Sequence, residues 1–281
     1  MKAWLIILLS ILTLATFGQA PAIGIKAVVF PVEDIDGKYQ LALVQTGQIY
    51  TSSDYGATWT PRLSTMEWHS GDISSTGQYQ IASVIDGQIY NSSDYGVNWT
   101  ARESNRGWRG VSISASGQYQ TAVVWGGQIY TSSNYGVNWT ARESNRNWIG
   151  VEMNPTGQYQ IAGAYGGQIY TSSDYGVNWI QSTSMVNRNW VSVAINSTGQ
   201  YLAGVVYGDQ IYTSSDYGVN WTARDVSRNW QTIAMNASGQ YQNASVYGGQ
   251  IYTSSDYGVN WTARESNRSW RDAEVSSTGK Y

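Results

Sequence analysis

The chain contains no cysteine, one histidine and four prolines among its 281 residues. The absence of cysteine excludes disulfides, thiolate nucleophiles and cysteine-based metal sites. With His69 as the single histidine, one chain cannot build a multi-histidine metal site. Charged residues are also scarce, at 12%, and the net charge is −3, so nothing favours an electrostatic partner such as nucleic acid or an anionic membrane. We therefore predict no metal, no cofactor and no nucleic-acid partner.

Aromatic residues and glycine are abundant instead. The sequence has 14 tryptophans, 22 tyrosines and 30 glycines. Aromatic and β-branched residues favour strands, and with so little proline the turns must rely on glycine. After the first twenty residues no segment shows helical periodicity, so we predict an all-β fold.

The N-terminal segment differs from the rest of the chain. Lys2 gives a short positive start, an almost continuous apolar run extends from Trp4 to Phe17, and small residues follow. This pattern is typical of a secretory signal peptide, cleaved after Ala20 or Ala22. The alternative is an uncleaved membrane anchor, although the run is short for a span. We expect a signal peptide at 1–22, a mature chain at 23–281 without a membrane span, and a secreted, periplasmic or cell-surface location.

A repeat of about forty residues dominates the mature chain. The segment Ser-Ser-Asp-Tyr-Gly-x-x-Trp, called here the aspartate turn, recurs at spacings of 40, 40, 40, 42 and 40 residues. One copy has asparagine in place of the aspartate. The polar residue and the tryptophan of the six copies are Asp54 and Trp59, Asp94 and Trp99, Asn134 and Trp139, Asp174 and Trp179, Asp216 and Trp221, and Asp256 and Trp261.

One unit is interpreted as four short strands. After Trp108, the predicted strands are 111–113, 118–124, 128–131 and 137–141, joined by a glycine turn, a tight hairpin at Gly126-Gly127 and the aspartate turn. Two adjacent glycines favour a type I′ hairpin, in which both central residues have positive φ. Four strands with three short turns form an antiparallel meander.

Such a twisted sheet has two partly apolar faces and cannot bury both alone, whereas sheets packed around an axis can. The sequence therefore predicts a β-propeller of six to seven four-stranded antiparallel blades, with an open stack of β-units as the alternative. Six units are complete from about Val28 to Glu265, and a partial seventh begins at Trp270. Either further sequence completes this seventh unit, or its strand closes the ring against the N-terminal region.

The aspartate turn resembles the Asp-box, or BNR, repeat. That repeat occurs in sialidases, sortilin-type receptors, some xyloglucan-degrading glycosidases and the propeller that assists photosystem II assembly. The resemblance implies that the motif caps the hairpin between the third and fourth strands, away from the ligand-binding face. It also implies a structural, non-catalytic role for the aspartates, in which the carboxylate accepts backbone hydrogen bonds and the tryptophan fixes the turn to the sheet.

The resemblance to sialidases makes hydrolysis an alternative. Catalysis of that kind needs groups with different roles around one reacting centre, and a glycosidase needs two carboxyl groups in distinct environments. The near-identical units offer little such asymmetry, and Phe30-Pro31 stands near the start instead of the Arg-Ile-Pro motif of sialidases. We interpret His69 and the acids outside the repeat pattern as turn, packing or surface residues, and predict no catalytic residue. These acids are Glu33, Asp34, Asp36, Glu67, Asp86 and Asp209.

Repetition suits binding better, because similar groups are presented several times around one axis. We predict a non-catalytic binding propeller that recognises a glycan or a protein surface through the face opposite the aspartate turns. A periplasmic or lumenal assembly factor is a further alternative. The expected binding groups are aromatic residues at the hairpin between strands two and three, and arginines of the inter-blade loop Arg-Glu-Ser-Asn-Arg. They are Trp125, Tyr165, Tyr207 and Tyr247, with Arg102, Arg106, Arg142, Arg146, Arg264 and Arg268. The competing interpretation is that the rings pack between blades and that the arginines form solvated surface pairs.

Overall fold

The computed structural model describes residues 37–270, 275–276 and 278–279, and the regular structure in them consists of strands. The predicted signal peptide and the strand predicted from Val28 lie outside the described residues. Over these same residues there is no helix that could cross a bilayer. The strands are β1 Gln40–Leu43, β2 Gln45–Ser52, β3 Thr60–Ile73, β4 Gln80–Ser92, β5 Thr100–Ile113, β6 Gln120–Ser132, β7 Thr140–Met153, β8 Gln160–Gly167, β9 Ile169–Ser172, β10 Ile180–Gln181, β11 Arg188–Ile195, β12 Leu202–Ser214, β13 Thr222–Met235, β14 Gln242–Ser254 and β15 Thr262–Ser269.

Each long strand belongs to two blades. The first half of β5, residues 100–107, pairs with β4, and the second half, residues 108–113, pairs with β6. The outer strand of one blade therefore continues directly into the inner strand of the next. The described residues contain five complete four-stranded blades and three strands of another. We number them blade 1 (40–62, three strands), blade 2 (68–102), blade 3 (108–142), blade 4 (148–181), blade 5 (190–224) and blade 6 (230–264).

The blades form a β-propeller, as predicted. Pairing is antiparallel throughout the described strands, and their path runs from β1 to β15 without closing into a ring. The inner strands of neighbouring blades lie side by side along an axis. The Ile113 amide donates to Asp72 Oδ2 at 2.8 Å, and the Met153 amide donates to Ser112 Oγ at 3.2 Å. These bonds join successive blades at the centre of the molecule.

A tryptophan at the start of each inner strand anchors the core between two blades. Trp108 is fully buried with Ile81 and Ile89 of blade 2 and Val111 of its own strand. Its ring meets the Tyr130 ring edge-on, with centroids 5.1 Å apart. Burial of such large aromatic side chains supplies much of the stabilisation between sheets. The equivalent tryptophans are Trp68, Trp148, Trp190 and Trp230, each at most 1% exposed.

The predicted strand boundaries shift by two or three residues in places. The second strand of blade 3 begins at Gln120 rather than at residue 118, and the fourth begins at Thr140 rather than at residue 137. The residues before each start remain in the preceding turn. Tyr119 is one of them, and its N–H donates to Ser114 Oγ at 3.1 Å.

Two predictions about the connections are wrong. The hairpin at Gly126-Gly127 is not type I′, because only Gly126 has positive φ, at 69°. The turn is centred one residue earlier, on Trp125 and Gly126. In the equivalent turn of blade 1, the Gly47 amide donates to the Val44 carbonyl at 2.9 Å, which places the two residues between them at the centre. The segment 102–106, predicted as a free inter-blade loop, lies within β5, where Arg106 pairs with Gly87.

Candidate functional site

The two ends of each blade carry different turns. The third strand of a blade leads from the hairpin after strand two to the aspartate turn, so these features lie at opposite ends of the sheet. We call the end with the aspartate turns the turn face. The end with the hairpins is called the tip face, and the residue at the first corner of each hairpin is the tip residue. The predicted binding residues at these corners therefore lie opposite the aspartate turns.

The aspartate turn is a closed hydrogen-bond network. Asp54 accepts from the Ser52 hydroxyl at 2.8 Å and from the backbone N–H and hydroxyl of Thr58 at 2.8 and 2.6 Å. The Trp59 indole N–H donates to the Gly56 carbonyl at 3.1 Å. The Thr58 and Ser52 bonds hold the pKa of Asp54 below its usual value. The carboxylate is thus ionised and committed to the turn.

The asparagine copy preserves part of this network. Asn134 Oδ1 accepts from the Ser132 hydroxyl at 3.0 Å and from the Asn138 N–H at 2.9 Å. In the equivalent turn of blade 2, Asp94 additionally accepts from the Asn98 side-chain amide at 2.7 Å. An amide has one acceptor oxygen where a carboxylate has two, so Asn134 lacks the second acceptor.

A tyrosine from each inner turn packs against the next blade on the turn face. The Tyr79 ring stacks near the Tyr135 ring, with centroids 4.6 Å apart. It also lies against Gly117, where an added Cβ would be only 2.4 Å from Tyr79 Cδ2. The turn face therefore holds the blades together through repeated aromatic contacts. The equivalent pairs are Tyr39 with Gly77, Tyr119 with Gly157, Tyr159 with Gly199, Tyr201 with Gly239 and Tyr241 with Gly279.

The tip residues on the opposite face differ from blade to blade. Trp125, Tyr207 and Tyr247 are 38%, 44% and 50% exposed, and Tyr165 is partly buried. The structure brings Trp125 and Tyr165 together, with ring centroids 5.6 Å apart. The Arg109 guanidinium lies 5.6 Å from the Trp125 ring, a cation–π contact. Blades 3 and 4 thus present a continuous aromatic surface, whereas blades 1 and 2 carry Gln45 and Ile85 at the tip.

Every described inter-blade connection except the one between blades 4 and 5 is fixed to a tip by one glutamine. Gln128 Nε2 donates to the Glu143 carbonyl at 2.7 Å, and Gln88 Nε2 donates to the Glu103 carbonyl at 2.6 Å. Glu103 and Glu143 have positive φ, at 57° and 55°. The bond therefore holds a backbone conformation that is unfavourable for a residue with a Cβ. This glutamine contact also occurs at Gln48, Gln210 and Gln250.

The first arginine of each connection contacts its own sheet. Arg142 Nε donates to the Thr131 hydroxyl at 3.1 Å, and Arg264 makes the same bond to Thr253. Arg102 pairs with Ile89 across the sheet, and in this blade Asn91 replaces the threonine. The structure therefore places three of the six predicted arginines along the outer strand rather than among the tips.

The second arginine lies between two blades. The Arg106 guanidinium stacks 4.8 Å from the Tyr130 ring and forms an ion pair with Glu103 at 3.9 Å. Arg146 does the same with Tyr170, at 4.8 Å, and Glu143, at 3.7 Å. Arg268 stacks over Trp270 at 5.8 Å. These side chains keep about a third of their surface exposed, so they both stabilise the interface and face the tip surface.

The connection between blades 4 and 5 breaks the pattern. It has two extra residues and no Arg-Glu pair, and the glutamine contact is replaced by a bond from Gln181 Nε2 to Gln168 Oε1 at 2.7 Å. The Tyr170 hydroxyl donates to Gln181 Oε1 at 2.9 Å. Burial raises the pKa of Tyr170, which keeps this hydroxyl protonated and able to donate. Met185 fills part of the core beside Trp190.

Two adjoining grooves open at this connection on the tip face. Their volumes are about 260 and 230 Å³, and Gly166 and Asn187 line both. Tyr207 lines the first groove, and Tyr165 lines the second. Arg188 has no acidic partner within its own connection, and it pairs instead with Asp209 at the tip of blade 5. The longer connection therefore lies next to the one described tip that has Asp209 in place of glycine.

The described acids outside the repeat pattern, and His69, have contacts of their own. Asp209 is paired with Arg188 and accepts from the Tyr212 hydroxyl at 3.3 Å, and Asp86 occupies the second corner of a tip with φ 53°. Glu67 pairs across the sheet with Gln45. His69 Nδ1 lies 3.2 Å from the Arg109 carbonyl oxygen. Glu33, Asp34 and Asp36 lie outside the described residues, and within those residues no three potential metal ligands cluster.

Sequence reasoning missed several residues of this surface. Arg188 and Arg228 occupy the second-arginine position, and each stacks 4.5 Å from a tyrosine ring of the next blade. Both lie two residues before a core tryptophan, and this spacing, rather than the Arg-Glu-Ser-Asn-Arg motif, identifies them. Gln168 and Asn187 carry no comparable signal, because their position depends on how the longer connection folds.

Solved structures provide the comparison with known proteins. Neither a family model nor a curated protein sequence matches the chain. The YCF48 structure from Cyanidioschyzon merolae is 17% identical, with a TM-score of 0.66, over 86% of each chain. A structure of YCF48 bound to D1 peptide is 17% identical, with a TM-score of 0.64, over 85% of this chain and 82% of that one. An ancestral GH74 enzyme is 15% identical, with a TM-score of 0.67, over 85% of this chain and 37% of that one.

These likenesses establish the fold. At such low identity, neither the peptide of the second structure nor the hydrolytic activity of the third transfers to this chain. The neighbours include both an enzyme and a protein solved with a bound peptide, so the propeller alone does not select between catalysis and binding.

Proposed function

We propose that this chain is a secreted, non-catalytic binding propeller of the Asp-box type that recognises a glycan or a protein surface through its tip face. The observation that carries the proposal is where the repeats differ. The turn face repeats the same tyrosine and glycine contacts from blade to blade, whereas the tip face concentrates Trp125, Tyr165, Tyr207 and Tyr247 on blades 3 to 6. Exposed aromatic rings beside planar guanidinium groups are typical of binding surfaces.

The arginines support this proposal in two ways. The second-arginine group stacks on tyrosine rings, which orients the guanidinium plane, and it remains partly accessible. An oriented guanidinium loses less conformational freedom on binding than a free one. The first-arginine group, including Arg102, Arg142 and Arg264, is held on the outer strand and supports the sheet instead.

A sialidase-like or other glycoside hydrolase is the less favoured alternative. Four acids of the tip face, Glu103, Glu143, Asp209 and Asp225, each form an ion pair with an arginine. These ion pairs occupy the four carboxyl groups, whereas glycoside hydrolysis needs two carboxyl groups directed at one bond. A periplasmic or lumenal assembly factor remains a form of the binding proposal, and the YCF48 likeness supports a protein or peptide as partner.

A glycan array and a cell-surface binding assay test the proposal, with hydrolysis of fluorogenic sialosides and β-glucans measured beside them. Replacing Trp125, Tyr165, Tyr207 and Tyr247 by alanine should abolish binding. Tyr55, which is 56% exposed on the turn face, provides the matched control, and Tyr55→Ala should leave binding unchanged. Binding that survives the fourfold replacement, or turnover of a glycoside, would contradict the proposal.

A further inference from the structure

The connection between blades 4 and 5 is the strongest departure from repetition in the described residues. Residues 180–188 occupy the place that seven residues fill in blade 3, at 140–146. The two extra residues move the connection away from the tip of blade 4, and the usual bond from the tip glutamine to the connection carbonyl is lost there. The grooves described above open where that contact would otherwise close the surface.

Carboxamide groups dominate the polar lining of these grooves. Gln168, Gln181 and Asn187 contribute to the second groove, and Asn187 and Asn189 contribute to the first. The Gln168 oxygen accepts from Gln181, so the amide nitrogen of Gln168 is left as a donor without an acceptor among the described residues. A carboxamide offers a donor and an acceptor side by side, which matches the paired hydroxyls of a sugar ring.

Aromatic rings flank the same grooves. Tyr165 and Tyr207 are neighbouring tips, and Tyr207 is 44% exposed. A tyrosine offers an apolar face and a polar hydroxyl, and it loses little conformational freedom when it packs. The C–H faces of a pyranose are apolar and suit such a surface, while its hydroxyl groups reach the surrounding amides.

The charges that line the grooves are already balanced. Arg146 pairs with Glu143, and Arg188 pairs with Asp209, which is itself a lining residue. Both guanidinium groups also stack on tyrosine rings, at 4.8 and 4.5 Å. A charged ligand would have to displace one of these pairs, whereas a neutral ligand would not. Each groove is also smaller than the usual drug-sized pocket of about 300–1,000 Å³, so it suits one or two sugar rings rather than a long peptide.

We propose that the connection between blades 4 and 5 forms a binding site for a neutral saccharide, with Gln168 and Asn187 as hydrogen-bonding groups and Tyr165 and Tyr207 as stacking surfaces. This inference rests on the proposed binding function of the tip face and assigns it a ligand class and a place. Because the site carries no net charge, the affinity should change less than about twofold between low and high salt.

Isothermal titration of the full chain with neutral cello-, xylo-, manno- and chito-oligosaccharides tests the site. Tyr207→Ala and Asn187→Ala should each weaken binding about tenfold or more. Tyr55→Ala provides the control, since Tyr55 is 56% exposed but lies on the turn face, away from both grooves. Its affinity should remain within about twofold of the parent protein.

A grafted connection separates the site from the rest of the tip face. Residues 180–188 are replaced by the sequence of residues 140–146, together with Asp209→Gly, which restores the arrangement of blade 3. The graft should fold, as circular dichroism and thermal melting will show, because the same sequence already joins two blades of this molecule. It should lose saccharide binding.

Three outcomes would overturn the inference. Saccharide binding that survives the graft would place the site elsewhere, and the proposed function would stand if that binding still requires Trp125 and Tyr247. Peptide binding that the graft abolishes would refute the saccharide assignment. Failure of the parent protein to bind any neutral oligosaccharide would also refute it, and the proposed function would then depend on whether the fourfold aromatic replacement abolishes binding to cell surfaces.

Discussion

The contact between Tyr79 and Gly117 on the turn face gives a quantitative test of how neighbouring blades are held together. Gly117 has φ +80°, and a Cβ added there would lie 2.4 Å from Tyr79 Cδ2 and 2.5 Å from Tyr79 Cγ. Gly117→Ala should therefore lower the free energy of unfolding by about 1–2 kcal/mol, because a residue with a Cβ is unfavourable in the left-handed conformation. It should also incur about 1–3 kcal/mol for overpacking against the ring. The sum is about 2–5 kcal/mol.

Gly126 separates these two costs. Its φ is +69°, close to that of Gly117, but an added Cβ would have no atom within 4 Å. Gly126→Ala should thus cost only the backbone part, about 1–2 kcal/mol. The comparison uses the free energy of unfolding from urea denaturation, provided that each variant unfolds in a single transition.

A double-mutant cycle assigns the difference to the tyrosine. Tyr79→Gly removes the three atoms nearest to the added Cβ, which are Cδ2, Cγ and Cβ at 2.4, 2.5 and 2.6 Å, so Gly117→Ala in a Tyr79→Gly background should cost about as much as Gly126→Ala. The coupling free energy between the two positions is then about 1–3 kcal/mol. If Gly117→Ala and Gly126→Ala destabilise the parent protein equally, the close contact does not hold the blades and the reasoning is refuted.

Two further predictions concern single carboxyl positions. Asn134→Asp should stabilise the protein by about 1 kcal/mol, because the second carboxylate oxygen can accept a hydrogen bond from the Asn138 side chain. The Asn98 side chain already donates to Asp94 in this way. An unchanged unfolding midpoint in urea would contradict this prediction. Burial at the axis raises the pKa of Asp72 to about 7, although the hydrogen bonds from the Ile113 and Ile73 amides act to lower it. An unfolded aspartate has a pKa of about 3.9. Between these values the unfolded chain loses a proton that the folded protein keeps, so stability should fall as pH rises from about 4 to about 7 and level off above. Asp72 is partly accessible along the axis, so water reduces the size of this change. Asp72→Asn should flatten the dependence in melts between pH 4 and 8, and a variant as pH-sensitive as the parent would exclude Asp72 as the cause.

The repeat allowed the fold to be predicted because each blade is specified locally. The alternation of apolar residues around Val111, the turn glycine at Gly117 and the aspartate turn all act within one forty-residue unit. The contacts between blades could not be predicted in the same way. Tyr79 meets Gly117 in the following unit, and no local pattern indicates which glycine a tyrosine will contact.

The errors in the connections have a similar physical origin. Gly126-Gly127 resembles the centre of a two-residue hairpin, but the turn is centred on Trp125 and Gly126, and a Cβ at Gly127 would lie 2.6 Å from Val124 Cγ1. The segment from Arg102 to Arg106 is polar enough to be a loop, yet Arg106 pairs with Gly87 and Gln88 binds the Glu103 carbonyl. In both cases a tertiary contact, rather than local composition, decides the conformation.

The glycines at the second corner of the tip hairpins have open space around them. An added Cβ at Gly126, Gly166, Gly208 or Gly248 would meet no atom within 4 Å, so these corners impose little on their neighbours. The connection between blades 4 and 5 lacks the acid that pairs with the second arginine in the connections after blades 2, 3 and 5. Arg188 finds its partner in Asp209, on another blade, where the other described tips have glycine. Two changes in separate units thus restore one ion pair beside the grooves, and this compensation maintains the geometry that the saccharide site requires.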